Sequence, residues 1–191
     1  MHRSIAGLTT GLAGGAALAL LLAGCGGDDE LGAKPDLPTE SPALWNPCDA
    51  LDASLIQQAF GSRTTEQHGT DTAPECRFKP AEKSGDAVVT SSYSLFQGTL
   101  AEAWKTMGQP DDASVTEPTI KGADSARVVV DVVKKQLYVT GFVENGDLIQ
   151  NVNVIDPAPY DEAKILSGVD VVLAALSKHA NENGVTQEGE D

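Results

Sequence analysis

Asn145-Gly146 sits between two apolar-rich runs, and no other dipeptide in the chain constrains the fold so tightly. Flanked this way, it specifies a two-residue type I′ hairpin. The turn also sets a register, with Val143 opposing Leu148, Val139 opposing Val152 and Leu137 opposing Val154. All six side chains then share one face, as a half-buried antiparallel sheet requires. The opposite face carries Tyr138, Thr140, Phe142, Ile149, Asn151 and Asn153, a mixed set that suits a partly covered surface.

The remaining elements follow from local signals. Asp52 is placed to cap a helix in which Leu55, Ile56, Ala59 and Phe60 share a face, with Leu51 and Ile56 as a hydrophobic staple and Gly61 as the stop. Residues 62–74 read as a polar loop. Arg77-Phe78 opens a strand that stops at Pro80, and Ala87 to Phe96 forms another, with Val89, Tyr93 and Leu95 on one face. Thr99-Leu100-Ala101-Glu102 is a capping box for a helix using Leu100, Ala103, Trp104 and Met107. Trp104 is expected in the core. Residues 109–119 read as a loop, and Val128 to Val133 supplies the strand before the hairpin, turning through Lys134-Lys135-Gln136. After Asp156-Pro157-Ala158-Pro159 comes the longest helix, about residues 160–182. Ile165, Val169, Val172, Leu173, Leu176 and Ala180 give it an apolar stripe that needs a sheet to lie on. The order α-β-β-α-β-β-β-α, with antiparallel strands packed by helices, predicts an α+β domain over 45–183.

Ahead of that domain, Leu22-Ala23-Gly24-Cys25 closes an apolar leader. His2 and Arg3 form its positive start, and Ile5 to Leu22 its apolar stretch. The tetrapeptide has the form of a lipobox, so residues 1–24 are expected to be cut away and the Cys25 thiol acylated. A transmembrane span is the competing reading, but the stretch is Gly-rich and no Lys or Arg follows before Lys34. Two or three acyl chains, at about 0.8 kcal/mol per buried CH2, would anchor the chain in the cell membrane on its extracytoplasmic side. Residues 25–44, with Pro35, Pro38 and Pro42 among polar residues, read as an acidic tether, and 184–191 as a disordered acidic tail.

Charge and cysteine usage bound the chemistry. The formal net charge is −15, which repels phosphate backbones and argues against nucleic-acid binding. Besides Cys25 only Cys48 and Cys76 occur. Outside the cytoplasm such a pair is a disulfide by default, and its spacing does not suit a metal site. Catalytic templates fail on inventory, because past the leader only His68, in the polar loop, and His179, near the end of the last helix, remain. No nucleophile elbow or phosphate loop is present, and Asp28-Asp29-Glu30 and Asp111-Asp112 lack calcium-loop spacing. No catalytic residue, metal or cofactor is therefore expected. Tyr138, Phe142 and Ile149 are the candidate floor of an apolar ligand pocket.

Asn46-Pro47-Cys48, a short helix ending in Phe60-Gly61, Cys76 followed by Arg77-Phe78, a β-rich second half and a long last helix resemble one family. These features are similar to those of the two-cysteine lipoproteins of actinobacteria that carry a domain of unknown function. The resemblance covers residues 45–182, though many relatives have Trp where Phe78 stands. It implies no catalytic residues. The element order is also similar to the Mog1/PsbP-like sandwich, which implies a non-catalytic binding fold. The expectation is a membrane-anchored binding module for a small apolar ligand or an envelope protein. The alternatives are an envelope hydrolase using an Asp/Glu pair and a structural or assembly lipoprotein.

Overall fold

A computed structural model describes residues 45–184 except 71, 83 and 109–111. The expected leader, Cys25, the tether and residues 185–191 lie outside the described residues. Strands β1 (Thr64–Thr70), β2 (Ala73–Pro80), β3 (Val88–Leu95), β4 (Ser114–Thr116), β5 (Ser125–Val133), β6 (Gln136–Asn145) and β7 (Leu148–Pro157) form a seven-stranded sheet. Its helices are α1 (Ala53–Phe60), α2 (Leu100–Thr106) and α3 (Glu162–Asn183). The spatial order is β1-β2-β3-β7-β6-β5-β4 and every pairing is antiparallel. Two meanders therefore meet where β7 returns to pair with β3. The chain is an α+β domain, and none of its described helices is long and apolar enough to cross a membrane.

Helix α3 covers one sheet face. Its stripe of Ile165, Val169, Val172, Leu173, Leu176 and Ala180 is buried against Phe78, Val89, Val139, Val143, Val152 and Val154. Gly141 permits the close crossing, because a Cβ there would lie 2.7 Å from Val169 Cγ1. Helix α1 packs beside α3, with Phe60 over Gly168. The local signals that start the helices hold in detail. Asp52 accepts from Leu55 N at 2.7 Å, with Leu51 and Ile56 both buried. Thr99 N–H donates to the Glu102 carboxylate at 2.9 Å, while Glu102 N–H donates to Thr99 Oγ1 at 3.3 Å. That backbone bond holds the Glu102 carboxyl below its ordinary pKa.

Two stretches expected as loops contain strands. Residues 62–74 include β1, and residues 109–119 include β4. Both are sheet edges, where polar side chains and short length blunt unpaired backbone. The polar sequence of β1 follows from its edge position, since it has little to bury.

The hairpin expected at Asn145-Gly146 is shifted by one residue. Asn145 pairs with Leu148, so Gly146 and Asp147 make the turn, and Val143 faces Gln150 rather than Leu148. Val139 accordingly faces Val154, and Leu137 faces Asp156. The facial assignment survives because the pairing moves by two positions in total. The physical reason is tertiary. The Asn145 carboxamide, 3% exposed, donates to Gly122 O at 2.9 Å and Ser177 Oγ at 3.1 Å, and accepts from Gln150 Nε2 at 3.3 Å. Locked into that network, it leaves the turn to Gly146, whose φ of 57° suits a glycine-first hairpin. Positive φ at both central positions occurs instead at Lys134 (51°) and Lys135 (67°), between Val133 and Gln136.

Cys48, in a short 3₁₀ turn over Pro47–Asp49, is disulfide-bonded to Cys76 in β2 across a Cα separation of 5.0 Å. The bridge closes a sequence separation of 28 residues. Replacing both cysteines by Ala should lower unfolding stability by about 3.6 kcal/mol, the loop-entropy value for that span, as read from urea titrations. The Lys134→Asn, Lys135→Gly double variant should raise stability by about 1 kcal/mol in the same titration, because Asn-Gly occupies the left-handed region at less cost than two lysines.

Candidate functional site

The sheet face opposite α3 is only partly covered. Helix α2 lies over β6 and β7 on this side, burying Leu100 and Ala103 against Ile149, with Phe96, Met107 and Phe142 packed around them. Trp104 is half-buried rather than in the main core. It meets Phe142 edge-on, with ring centroids 5.9 Å apart, and the Arg127 guanidinium lies over its ring at 4.8 Å. Arg127 is held in turn by Glu117 at 2.8 Å. This stack closes off the edge of the covered region.

Beyond it the sheet opens into a groove of about 480 Å3, lined by Met107, Val129, Val133, Tyr138 and Phe142, with Asp131 and Thr140 as its polar groups. Antiparallel register assembles it, because Asp131 pairs with Tyr138 and Val129 with Thr140, so their side chains stand together on this face. The Tyr138 hydroxyl donates to Gln136 Oε1 at 2.9 Å, and Thr140 donates to Asn153 Oδ1 at 2.9 Å. Asp131 has no hydrogen bond or ion pair among the described residues. Across the rest of the face Ser92, Asn151 and Asn153 extend a hydrogen-bonded polar ladder.

Of the three residues expected to floor a pocket, Tyr138 and Phe142 line this groove. Ile149 does not, because it is 2% exposed and covered by Leu100 and Ala103 of α2. Met107, Val129, Val133 and Asp131 were not singled out from sequence. The run Val128 to Val133 is nearly all valine, so its alternation between faces shows only through Arg127 and Asp131.

His68 is on edge strand β1 rather than in a loop, opposite Cys76, with Nε2 2.7 Å from Glu66 Oε1. Ligand atoms of Cys48, Glu66 and His68 lie within 4.8 Å of one another, but the Cys48 sulfur is bonded to Cys76 and offers no thiolate. His179 meets the Trp45 ring edge-on at 5.2 Å, and Trp45 also packs on Tyr93 at 5.9 Å. This aromatic group holds the start of the domain against α3.

A second concavity, about 180 Å3, lies on the α3 side where β7 gives way to α3. Asp86, Asp156, Asp161 and Lys164 line it. Burial pushes the Asp156 carboxyl above its ordinary pKa, and the charge on Asp86 adds to the shift while Lys164 opposes it.

A scan against protein-family models and a search of curated proteins match nothing. Among solved structures, a mutant of the protein Mog1 is similar at 14% identity over 62% of this chain and 92% of that one, with a TM-score of 0.28. At that score the likeness carries no weight, and the fold rests on the strand order itself.

The raised Asp156 pKa fixes a sign. Folding disfavours the charged carboxylate, so the penalty is complete above the folded-state pKa and disappears once pH falls below the unfolded-state value. Asp156→Asn should therefore melt higher than the parent at neutral pH in chelator-containing buffer. Its advantage should shrink to nothing as pH drops below the ordinary aspartate range, followed by thermal unfolding across pH.

Proposed function

We propose that this protein is a membrane-anchored, non-enzymatic binding module that takes a small apolar ligand in the groove between α2 and the β5–β6 hairpin. One observation carries the reading. A groove of about 480 Å3 is walled by Met107, Val129, Val133, Tyr138 and Phe142, with Asp131 unpaired among the described residues at its side. Ligand sites have this character, mostly apolar with a few polar groups that orient the guest, and volumes of about 300 to 1,000 Å3. Asp131 favours a ligand whose apolar body carries a hydrogen-bond donor or a positive charge.

The carboxylates of Asp86 and Asp156 do not favour a hydrolase at this groove. Asp156 pairs with Leu137 and so stands on the α3 side of the sheet, whereas the groove opens on the other. A guest in one cannot be attacked from the other.

Anchoring completes the proposal: the lipobox ending at Cys25 would place the domain on the outer side of the cell membrane. Native mass spectrometry of the full chain, purified from its own envelope, tests both parts. The expected result is a lipidated chain beginning at residue 25 that carries an additional apolar small molecule. Met107→Asp with Val133→Asp, both at the groove rim, should leave the fold intact by circular dichroism and release that molecule. An uncut chain with a free thiol at residue 25 would remove the anchor. Bare protein that also fails to bind the apolar fluorophore N-phenyl-1-naphthylamine would remove the binding role.

A further inference from the structure

The groove between α2 and the β5–β6 hairpin carries one carboxylate and no lysine or arginine among the described residues that line it. Antiparallel register sets Asp131 directly opposite Tyr138, with Val129 and Val133 two positions to either side on the same face. The Asp131 carboxylate thus stands beside an aromatic ring on an otherwise apolar wall. Its neighbours leave it unsatisfied, because the Tyr138 hydroxyl donates to Gln136 Oε1 and Thr140 donates to Asn153 Oδ1. The cations of the surrounding elements are engaged elsewhere or stand outside the groove. Arg127 pairs with Glu117 and lies over the Trp104 ring, and Lys105 of α2 interacts with Glu102. Lys134 and Lys135 form the exposed tip of the hairpin and do not line the groove.

We propose that the ligand of this groove is an amphiphilic organic cation, an alkyl chain bearing an ammonium group, and that fatty carboxylates are rejected. The assignment rests on the binding role given to the groove above and adds the charge of its guest. The alkyl chain lies along Met107, Val129, Val133 and Phe142, and the ammonium group sits between Asp131 and the Tyr138 ring. There the carboxylate accepts a charge-assisted hydrogen bond, and the neighbouring ring adds cation–π attraction. A neutral hydroxyl headgroup keeps the hydrogen bond but gains nothing from the ring. A carboxylate headgroup meets a like charge with no cation lining the groove to offset it. The field of the whole molecule has the same sign, since the formal net charge is −15.

Displacement of N-phenyl-1-naphthylamine from the full chain at neutral pH tests the assignment with three guests of one chain length: dodecylammonium, dodecanol and dodecanoate, each kept below its micelle concentration. Dodecylammonium should displace the fluorophore at about one tenth of the concentration that dodecanol needs, and dodecanoate should be the weakest. Asp131→Asn should bring dodecylammonium to within about twofold of dodecanol. Asp86→Asn, which removes a carboxylate from the α3 side of the sheet, should leave the tenfold preference intact. Tyr138→Phe should also keep it, whereas Tyr138→Leu should reduce it about threefold. Because Asn matches Asp in shape, the aspartate variants are expected to fold, and circular dichroism checks all four. Equal displacement by the three guests, or a cation preference that survives in Asp131→Asn, would overturn the assignment while leaving an apolar site in place. Failure of the fluorophore to bind at all would remove the binding role of the groove, and this assignment with it.

Discussion

The pairing of β3 with β7 organises everything else. It joins the meander β1-β2-β3 to the meander β4-β5-β6-β7 along a ladder running from Val88↔Ile155 to Leu95↔Leu148. Because side chains alternate across a strand, one ladder fixes both faces of the sheet at once. Val89, Ser91, Val152 and Val154 are sent to the α3 side and buried. Ser92, Asn151 and Asn153 are sent to the other side, where α2 is the one described helix that gives cover. A one-residue slip would place asparagines under α3 and valines in water.

From that ladder the two concavities acquire different characters. On the α2 side the short helix spans only part of the sheet, so apolar residues of β5 and β6 remain uncovered beyond Met107. On the α3 side the long helix covers the centre, and a small concavity remains at its start, where the chain turns from β7 into α3. A seven-residue helix and a twenty-two-residue helix thus leave an apolar groove and a small acidic cavity.

Much of this was legible in sequence, for reasons that can be named. The α3 stripe, the Thr99–Glu102 capping box and the Leu51–Ile56 staple are local patterns, and local physics decides them. The faces of β6 and β7 were also readable, because alternation persists whichever residues form the turn. The turn itself was not. Asn145 has a strong local preference for it, but three side-chain hydrogen bonds, one of them to α3, outweigh that preference. Strands β1 and β4 were hidden because edge strands need no apolar alternation. Tyr138 and Phe142 could be placed on the open face from the hairpin alone, whereas the burial of Ile149 depends on where α2 lands. The acidic cavity had no linear signature: Asp86, Asp156 and Asp161 look like ordinary loop and cap residues until the sheet and α3 bring them together.

The covalent link between Cys48 and Cys76 also decides how the domain bears mechanical load. Tension on the chain ahead of Trp45 reaches the sheet three residues later, at a bond that hands the force directly to β2. Helix α1 and strand β1 lie within the bypassed segment and carry none of it. A stretched protein would thus keep that edge slack and pass the load to the ladders around β2.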